Sequence, residues 1–239
     1  YSSAFRVAEY IKPHFEIAPR AWPRVPLLNV WADDLTMAQL LDRLDAEGGM
    51  VFTINPDHLY HLQTNAAFTA AYRDADFITV GSHYVDLALR WQGIGVAEKI
   101  TGSDLMPAYC RRHAANPAVR VFLLGAQPGV AERARQQLNA MAGRELVVGA
   151  HGPSMRFVDD EAEIASVLAM VRASGATALM LGLGAPKQEI WLARYRHAMP
   201  GVRVLMGVGA TIDYEAGAVK RAPVWMRRLG LEWTYPRSE

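Results

Sequence analysis

Short apolar runs alternate along this chain with stretches whose apolar residues recur at helical spacing, and the later runs end in glycine turns. Pro26-Leu-Leu-Asn-Val-Trp31, Met50-Val-Phe-Thr-Ile54, Phe77-Ile-Thr-Val80, Val119-Arg-Val-Phe-Leu-Leu124, Glu145-Leu-Val-Val148, Thr177-Ala-Leu-Met-Leu181 and Val202-Arg-Val-Leu-Met206 read as strands. Between them, helices are expected after Asp34 with Met37, Leu40, Leu41 and Leu44 on one face, over Leu59–Arg73, over Tyr84–Gln92, from Ser103, up to Met141, and over Asp160–Ser174. Such an alternation predicts an α/β fold, a mainly parallel Rossmann-like sheet with helices on both faces, whose ligands sit outside the carboxyl ends of the strands. The core is expected over 25–218, after an arm over 1–24 and before a short basic amphipathic segment over 219–239.

Two of the glycine turns belong to consecutive strands. Gly182-Leu-Gly-Ala-Pro-Lys-Gln-Glu189 precedes a helix that starts Ile190-Trp-Leu, and Gly207-Val-Gly-Ala-Thr-Ile-Asp213 follows the next strand. In a strand–turn–helix unit, glycine lets backbone N–H groups approach a ligand and the helix N-terminus adds positive potential, so with Lys187 nearby a phosphate is the natural guest. Gly125 opens a similar turn. A third glycine at dinucleotide-fingerprint spacing is missing from both turns, which counts against a nicotinamide-dependent oxidoreductase.

Half of the residues, 51%, are apolar and 21% are charged, enough to bury one substantial core. A net charge of +1 gives no global attraction to nucleic acid, and no such partner is expected. The single cysteine, Cys110, excludes an internal disulfide and fits a reducing compartment, where it reads as a buried structural thiol. No apolar run approaches the length of a bilayer-spanning helix. Because Tyr1 stands where Met would, the start is expected to be trimmed.

Asn55-Pro-Asp-His58 sets an amide, a carboxylate and an imidazole where a strand meets a helix. Asp57 is expected to cap that helix, with Thr53 and Asn55 facing a ligand. His58 and His61 share a helix face at the spacing of two metal ligands but lack a third. Asp33-Asp34 and Asp159-Asp160 read as helix caps rather than metal ligands, which leaves Arg, Lys and backbone amides to neutralise any phosphate, with no metal expected. The C-terminal stretch interleaves Lys220, Arg221, Arg227 and Arg228 with Val224, Trp225, Met226, Leu229, Leu231 and Trp233, a pattern suited either to packing on the core or to an anionic membrane surface.

Asn55-Pro-Asp-His, Thr101-Gly-Ser-Asp-Leu105, Gly182-Leu-Gly-Ala-Pro-Lys-Gln-Glu, Gly207-Val-Gly-Ala and Lys220-Arg-Ala-Pro-Val-Trp…Leu229-Gly-Leu-Glu-Trp233, in that order, resemble the WecG/TagA/CpsF glycosyltransferases. The resemblance implies an inverting, metal-independent transfer of a sugar from a UDP-sugar to a polyprenyl-diphosphate-linked sugar, in exopolysaccharide or cell-envelope synthesis. Glucose, N-acetylmannosamine or its uronic acid would be the sugar. It further implies a homo-oligomer, peripheral on the cytoplasmic face of the inner membrane, whose C-terminal appendage contacts the bilayer. By position, Thr53 and Asn55 match the family's pocket residues and Gln188 its active-site glutamine, while Lys99 stands where arginine is usual. Gly184, Lys187, Gly209 and Asp213 would line the nucleotide side, and Arg221, Arg227 and Arg228 would lie in or near the appendage, which in the family continues beyond Glu239.

One departure follows Ala75-Asp76. The family presents an Asp-Gly pair there, whose aspartate is its proposed base, whereas this chain reads Phe77-Ile-Thr-Val-Gly81-Ser-His-Tyr-Val-Asp86, with Gly81 or Val80 at the aspartate's position. An attacking hydroxyl must lose its proton, and His83, two residues on, is the first substitute, since imidazole titrates near neutrality. Asp57, Asp86 and Asp104 are further candidates, with Asp86 expected to face solvent. The alternative is a catalytically impaired nucleotide-sugar-binding or scaffold member of an envelope assembly complex.

Overall fold

The computed structural model describes residues 20–219 together with Ala222, Pro223 and Met226. The expected arm up to residue 19, and Lys220, Arg221, Arg227 and Arg228 in the C-terminal segment, lie outside the described residues.

A six-stranded sheet is built from β3 (Gly49–Ile54), β4 (Phe77–Val80), β5 (Val121–Gly125), β6 (Val147–His151), β7 (Ala178–Gly182) and β8 (Val204–Gly207), in the order β4-β3-β8-β7-β5-β6. Every pairing is parallel. The central strands are almost continuously apolar because both their faces are covered. On one face Phe52, Ile54, Leu124, Leu179 and Leu181 meet α2 (Pro56–Thr64), α3 (Ala66–Arg73), α4 (His83–Trp91), α7 (Glu161–Ser174) and α8 (Lys187–Tyr195). On the other, Val51, Leu123, Met180 and Met206 meet α1 (Met37–Glu47), α5 (Gly102–Arg112), α6 (Val130–Ala142) and α9 (Thr211–Glu215). The doubly covered parallel sheet read from the alternation is the fold observed.

Local departures have local causes. Pro26–Trp31 is not one strand but a hairpin outside the main sheet, β1 (Arg24–Leu27) and β2 (Val30–Asp33), closed at Leu28 with φ +53°. Asp33 is therefore a strand residue and not a helix cap. Buried, it accepts from the Ile78 amide at 2.7 Å and from Trp22 Nε1 at 2.8 Å, and pairs with Arg24 at 3.0 Å, tying the hairpin to edge strand β4. The cap before α1 is Thr36, in a reciprocal box with Gln39. Asp160 does cap α7, accepting from the Glu163 amide.

The helix expected over Leu59–Arg73 is two helices. Asn65 leaves the helical region at φ −128°, ends α2 and caps α3 by accepting from the Phe68 amide at 3.1 Å. α2 itself starts earlier, at Pro56, whose fixed φ suits a first helical position. Its cap is Asn55, not Asp57: Asn55 Oδ1 accepts from the His58 amide at 3.0 Å, while Asp57 lies exposed 3.6 Å from His61. Cys110 is buried as expected, and burial pushes its thiol up to about 12.

Candidate active site

Because the strands are parallel, all their carboxyl ends reach one rim, and three glycine corners meet there at backbone contact. A Cβ on Gly125, whose φ is +133°, would lie 2.3 Å from the Gly182 carbonyl oxygen, and one on Gly182 would lie 2.5 Å from that of Gly209. Only glycine permits this approach. The turns after β5, β7 and β8 thus form one continuous floor.

The chain leaves β5 for α6 on one face and leaves β7 for α8 on the other, which opens a crevice between two neighbouring strands. A cleft of about 560 Å³ lies there, lined among others by Gln127, Ser154, Phe157, Gly182, Lys187 and Asp213. Lys187 is exposed at the first position of α8, where the helix N-terminus adds its own positive potential. Asp213, on α9, is half-buried, and that burial raises its carboxyl above the ordinary range. Gly184, at φ +76° in the loop before Lys187, faces open space and could carry a side chain only at a cost in backbone strain.

The other half of the rim is formed by β3 and β4. Their register pairs Ile54 with Val80, so Asn55 and Gly81 leave the sheet side by side, and the Gly81 amide donates to the Ile54 carbonyl at 2.7 Å. Thr53 is half-buried on β3 beneath them, and a Cβ on Gly81 would meet its Cβ at 2.9 Å. His83, half-buried, is the first residue of α4, whose cap is Ser82. Lys99 is held against the end of β4 by its neighbour Ile100, whose amide donates to the Val80 carbonyl at 2.9 Å.

The remaining carboxylates differ from expectation in one case. Asp86 is not solvent-facing: it is buried along α4, and Arg90 Nε reaches both its oxygens at 3.0 Å, the one-turn spacing placing the two side by side. Asp104 receives the Thr101 hydroxyl at 2.7 Å. His58 and His61 face different partners, Tyr72 and Asp57. Among the described residues, no group of three or more His, Cys, Asp or Glu is placed to hold a metal ion.

Gln188 lies beside the turn after β8, the strand between the two halves. Buried on the inner face of α8, it accepts the Gly209 amide on Oε1 at 3.1 Å and donates from Nε2 to Glu189 Oε1 at 2.6 Å. Glu189 is fully buried and lies 3.7 Å from His58 Nε2, while His58 Nδ1 lies 2.6 Å from the Tyr72 hydroxyl. Burial pushes the Glu189 carboxyl up to about 7, against the pull of the Gln188 hydrogen bond. Burial, helped by the charge of His61, pushes His58 down to about 4, and burial raises the Tyr72 phenol well above its ordinary value. Glu189 Oε2 is buried with no hydrogen-bond partner.

The buried chain from Gln188 through Glu189 and His58 to Tyr72 has no counterpart in the sequence reading, although two polar residues on the inner face of α8, in line with Trp191 and Leu192, are its trace in the sequence. Of the residues singled out from sequence, Gly125, Gly184, Lys187 and Asp213 stand around the crevice, and Thr53, Asn55, His83 and Lys99 stand at β3 and β4. Gln188 and Gly209 lie between them.

Residues 25–237 match the sequence model of the Glycosyl transferase WecG/TagA/CpsF family. Two curated relatives from Staphylococcus aureus, strains NCTC 8325 / PS 47 and COL, are each 29% identical over 219 residues, covering 89% of this chain and 83% of theirs. Both are described as N-acetylglucosaminyldiphosphoundecaprenol N-acetyl-beta-D-mannosaminyltransferases.

Proposed function

The chain belongs to the WecG/TagA/CpsF glycosyltransferase family, and from that premise we propose that it transfers glucose, N-acetylmannosamine or its uronic acid from a UDP-sugar to a polyprenyl-diphosphate-linked sugar, with inversion at the anomeric carbon. The observation that carries this reading is the shared rim, on which the crevice holding Lys187 and Asp213 and the ends of β3 and β4 flank the turn after β8, whose Gly209 amide is held by Gln188. The nucleotide occupies the crevice, and the two reacting sugars meet over Gln188.

In one displacement the acceptor hydroxyl oxygen bonds to the donor's anomeric carbon as the bond from that carbon to the β-phosphate oxygen breaks, its electron pair leaving with UDP. The hydroxyl proton goes to the His83 imidazole, the first titratable side chain after the place where the family presents its aspartate. Lys187, Lys99, the N-terminus of α8 and the arginines at 221, 227 and 228 offset the charge that builds on the departing diphosphate, without a metal. No helix among the described residues is long and apolar enough to cross a membrane. The C-terminal segment holds the enzyme, as a homo-oligomer, on the cytoplasmic face of the membrane that carries the acceptor, in the synthesis of an envelope glycan or exopolysaccharide.

Gly81 favours a second reading. It offers no proton acceptor, and the Thr53 side chain closes on the space a side chain there would need. On that reading the protein binds a nucleotide sugar without turning it over. A scan of UDP-sugars against polyprenyl-diphosphate-linked acceptors separates the two. Thermal stabilisation by UDP together with UDP release for one donor–acceptor pair is the expected result. Stabilisation without release supports the binding reading, and neither signal refutes both.

A further inference from the structure

The carboxamide of Gln188 can be turned either way in its pocket, and the two orientations present opposite chemistry to a ligand. One face of the pocket is an amide donor, the N–H of Gly209, and the other is the carboxyl of Glu189. A donor on one side and an acceptor on the other select a single orientation, with the amide oxygen toward β8 and the amide nitrogen toward Glu189. The second hydrogen of Nε2 then remains for a ligand. Gly207 leaves room for the arrangement, since a Cβ there would come within 3.1 Å of Nε2 and 3.3 Å of Glu189 Oε1.

Glu189 is itself held from behind. If the Tyr72 hydroxyl donates to His58 Nδ1, the hydrogen of His58 lies on Nε2 and points at Glu189 Oε1, 3.7 Å away, so donors run in one direction along the chain toward the carboxylate. His58 is fixed by the edge of Phe68, 5.5 Å between ring centres. The titratable groups facing the carboxyl are His58 and Asp57 from α2 and Tyr72 from α3. A buried carboxyl with one oxygen unpartnered and no solvent access is costly to keep, and an isosteric apolar residue would pack on α8 without that cost.

We propose that Glu189, backed by His58 and Tyr72, is a positioning residue that fixes the orientation of the Gln188 carboxamide and so sets which of its groups faces the reacting sugars. The proposal rests on Gln188 being an active-site group, and its first consequence is independent of turnover. Protonation of Glu189 weakens the acceptor that holds Nε2, so the Gln188 side-chain amide senses the state of its neighbour.

The test follows the ¹⁵N side-chain amide pair of Gln188 in the full chain without ligand, assigned by its loss in Gln188→Ala, across neutral pH. The pair is expected to shift with one midpoint near 7 and to stop shifting in Glu189→Gln. Should Glu189→Gln not fold, Glu189→Asp carries the test, with a displaced midpoint expected. A pair that does not titrate, or titrates identically in these variants, overturns the proposal. Turnover supplies the second arm: Glu189→Gln should lower kcat about tenfold with donor KM nearly unchanged, and the double variant Gln188→Ala/Glu189→Gln should be no slower than Gln188→Ala alone. Losses that multiply overturn the positioning role. Wild-type turnover in Gln188→Ala would instead refute the active-site reading of Gln188, with the titration still deciding what orients it.

Discussion

The two rims of the sheet both carry a cavity, and the smaller and less basic one is the one that reads as the site. At the amino ends of β3, β4 and β8 a cavity of about 690 Å³ is lined by Arg20, Arg43, Arg196 and Arg203 with Trp22 and Asp76. It is larger and more basic than the crevice at the carboxyl rim. Its guanidinium groups, however, are already committed. Arg196 reaches Asp76 at 2.7 Å and the Asp74 carbonyl at 2.8 Å, Arg43 pairs with Glu47 at 2.9 Å over the Trp22 ring, Arg20 donates to the Ala75 carbonyl and Arg203 to that of Ala46. These bonds hold hairpin, helix ends and strand starts together. The carboxyl rim differs in having glycine corners at backbone contact, a lysine at a helix N-terminus and a buried carboxyl with an unpartnered oxygen. A cavity whose charges are satisfied internally is architecture, whereas a rim that sets an exposed lysine at a helix N-terminus beside glycine corners, with an unsatisfied carboxyl buried behind it, is a place for chemistry.

The largest effect is expected at His83. If the carboxyl rim performs the transfer and His83 takes the acceptor proton, His83→Ala should lower kcat by about 10²- to 10⁴-fold and leave UDP affinity nearly unchanged. Turnover by the variant at the wild-type rate would retire the assignment. The companion variant Gly81→Asp places a carboxylate at the end of β4. It must displace the Thr53 side chain to do so, and recovery of turnover in a Gly81→Asp/His83→Ala double variant would locate the proton acceptor at the end of β4 rather than on the imidazole.

How much of this was readable from residues alone follows from the range over which each signal acts. Strand–helix alternation and the glycine corners are local patterns, and the doubly covered parallel sheet and the positions of Gly125, Gly182 and Gly209 at its rim follow from them. The hairpin of β1 and β2 was hidden because its turn uses Leu28 at a positive φ without the usual glycine. The break between α2 and α3 was hidden because Asn65 serves as the last cap of one helix and the first of the next. Asp33 reads as a cap acid and Glu189 as part of a polar ligand turn, neither as a buried carboxyl, since what buries them comes from far along the chain: Ile78 and Trp22 for the first, His58 and Tyr72 for the second. Long-range polar contacts leave no periodic trace.

Stability measured against pH sharpens the same contrast. The Glu189 carboxyl is raised from its ordinary value to about 7, so its folded form prefers the proton, and the stabilisation this gives is complete below the unfolded value and is lost as pH rises through 7. His58, lowered to about 4, acts oppositely: its contribution is present above the ordinary histidine value and is lost as pH falls toward 4. Between the two unfolded values, folded and unfolded chains each hold one proton on this pair, on Glu189 and His58 respectively, and the pair adds little slope. Glu189→Gln, which cannot ionise, should therefore gain stability relative to wild type as pH rises from about 4.5 to above 7, by on the order of 3 kcal/mol. Denaturant unfolding at several pH values measures it, and a difference that does not grow with pH would mean that burial does not raise the Glu189 carboxyl.

The smallest effect is expected at the amino rim, where the comparison makes its negative claim. Arg196 bridges Asp76 and the Asp74 carbonyl from the short 3₁₀ turn over Arg196–Ala198, and Asp76 in turn accepts the Met50 amide at the start of β3. Both side chains of the pair are partly exposed, so the ion pair itself contributes little, and the loss on Arg196→Ala is about 1 kcal/mol. Asp76 keeps its bond to Met50, and no group at the carboxyl rim moves. Roughly 15 to 20 Å of strand separates the two ends. The variant should melt a few degrees earlier and turn over its substrates at the wild-type rate. A loss of donor affinity with no loss of stability would mean that the basic cavity holds ligand, and that committed arginines do not distinguish framework from site in this fold.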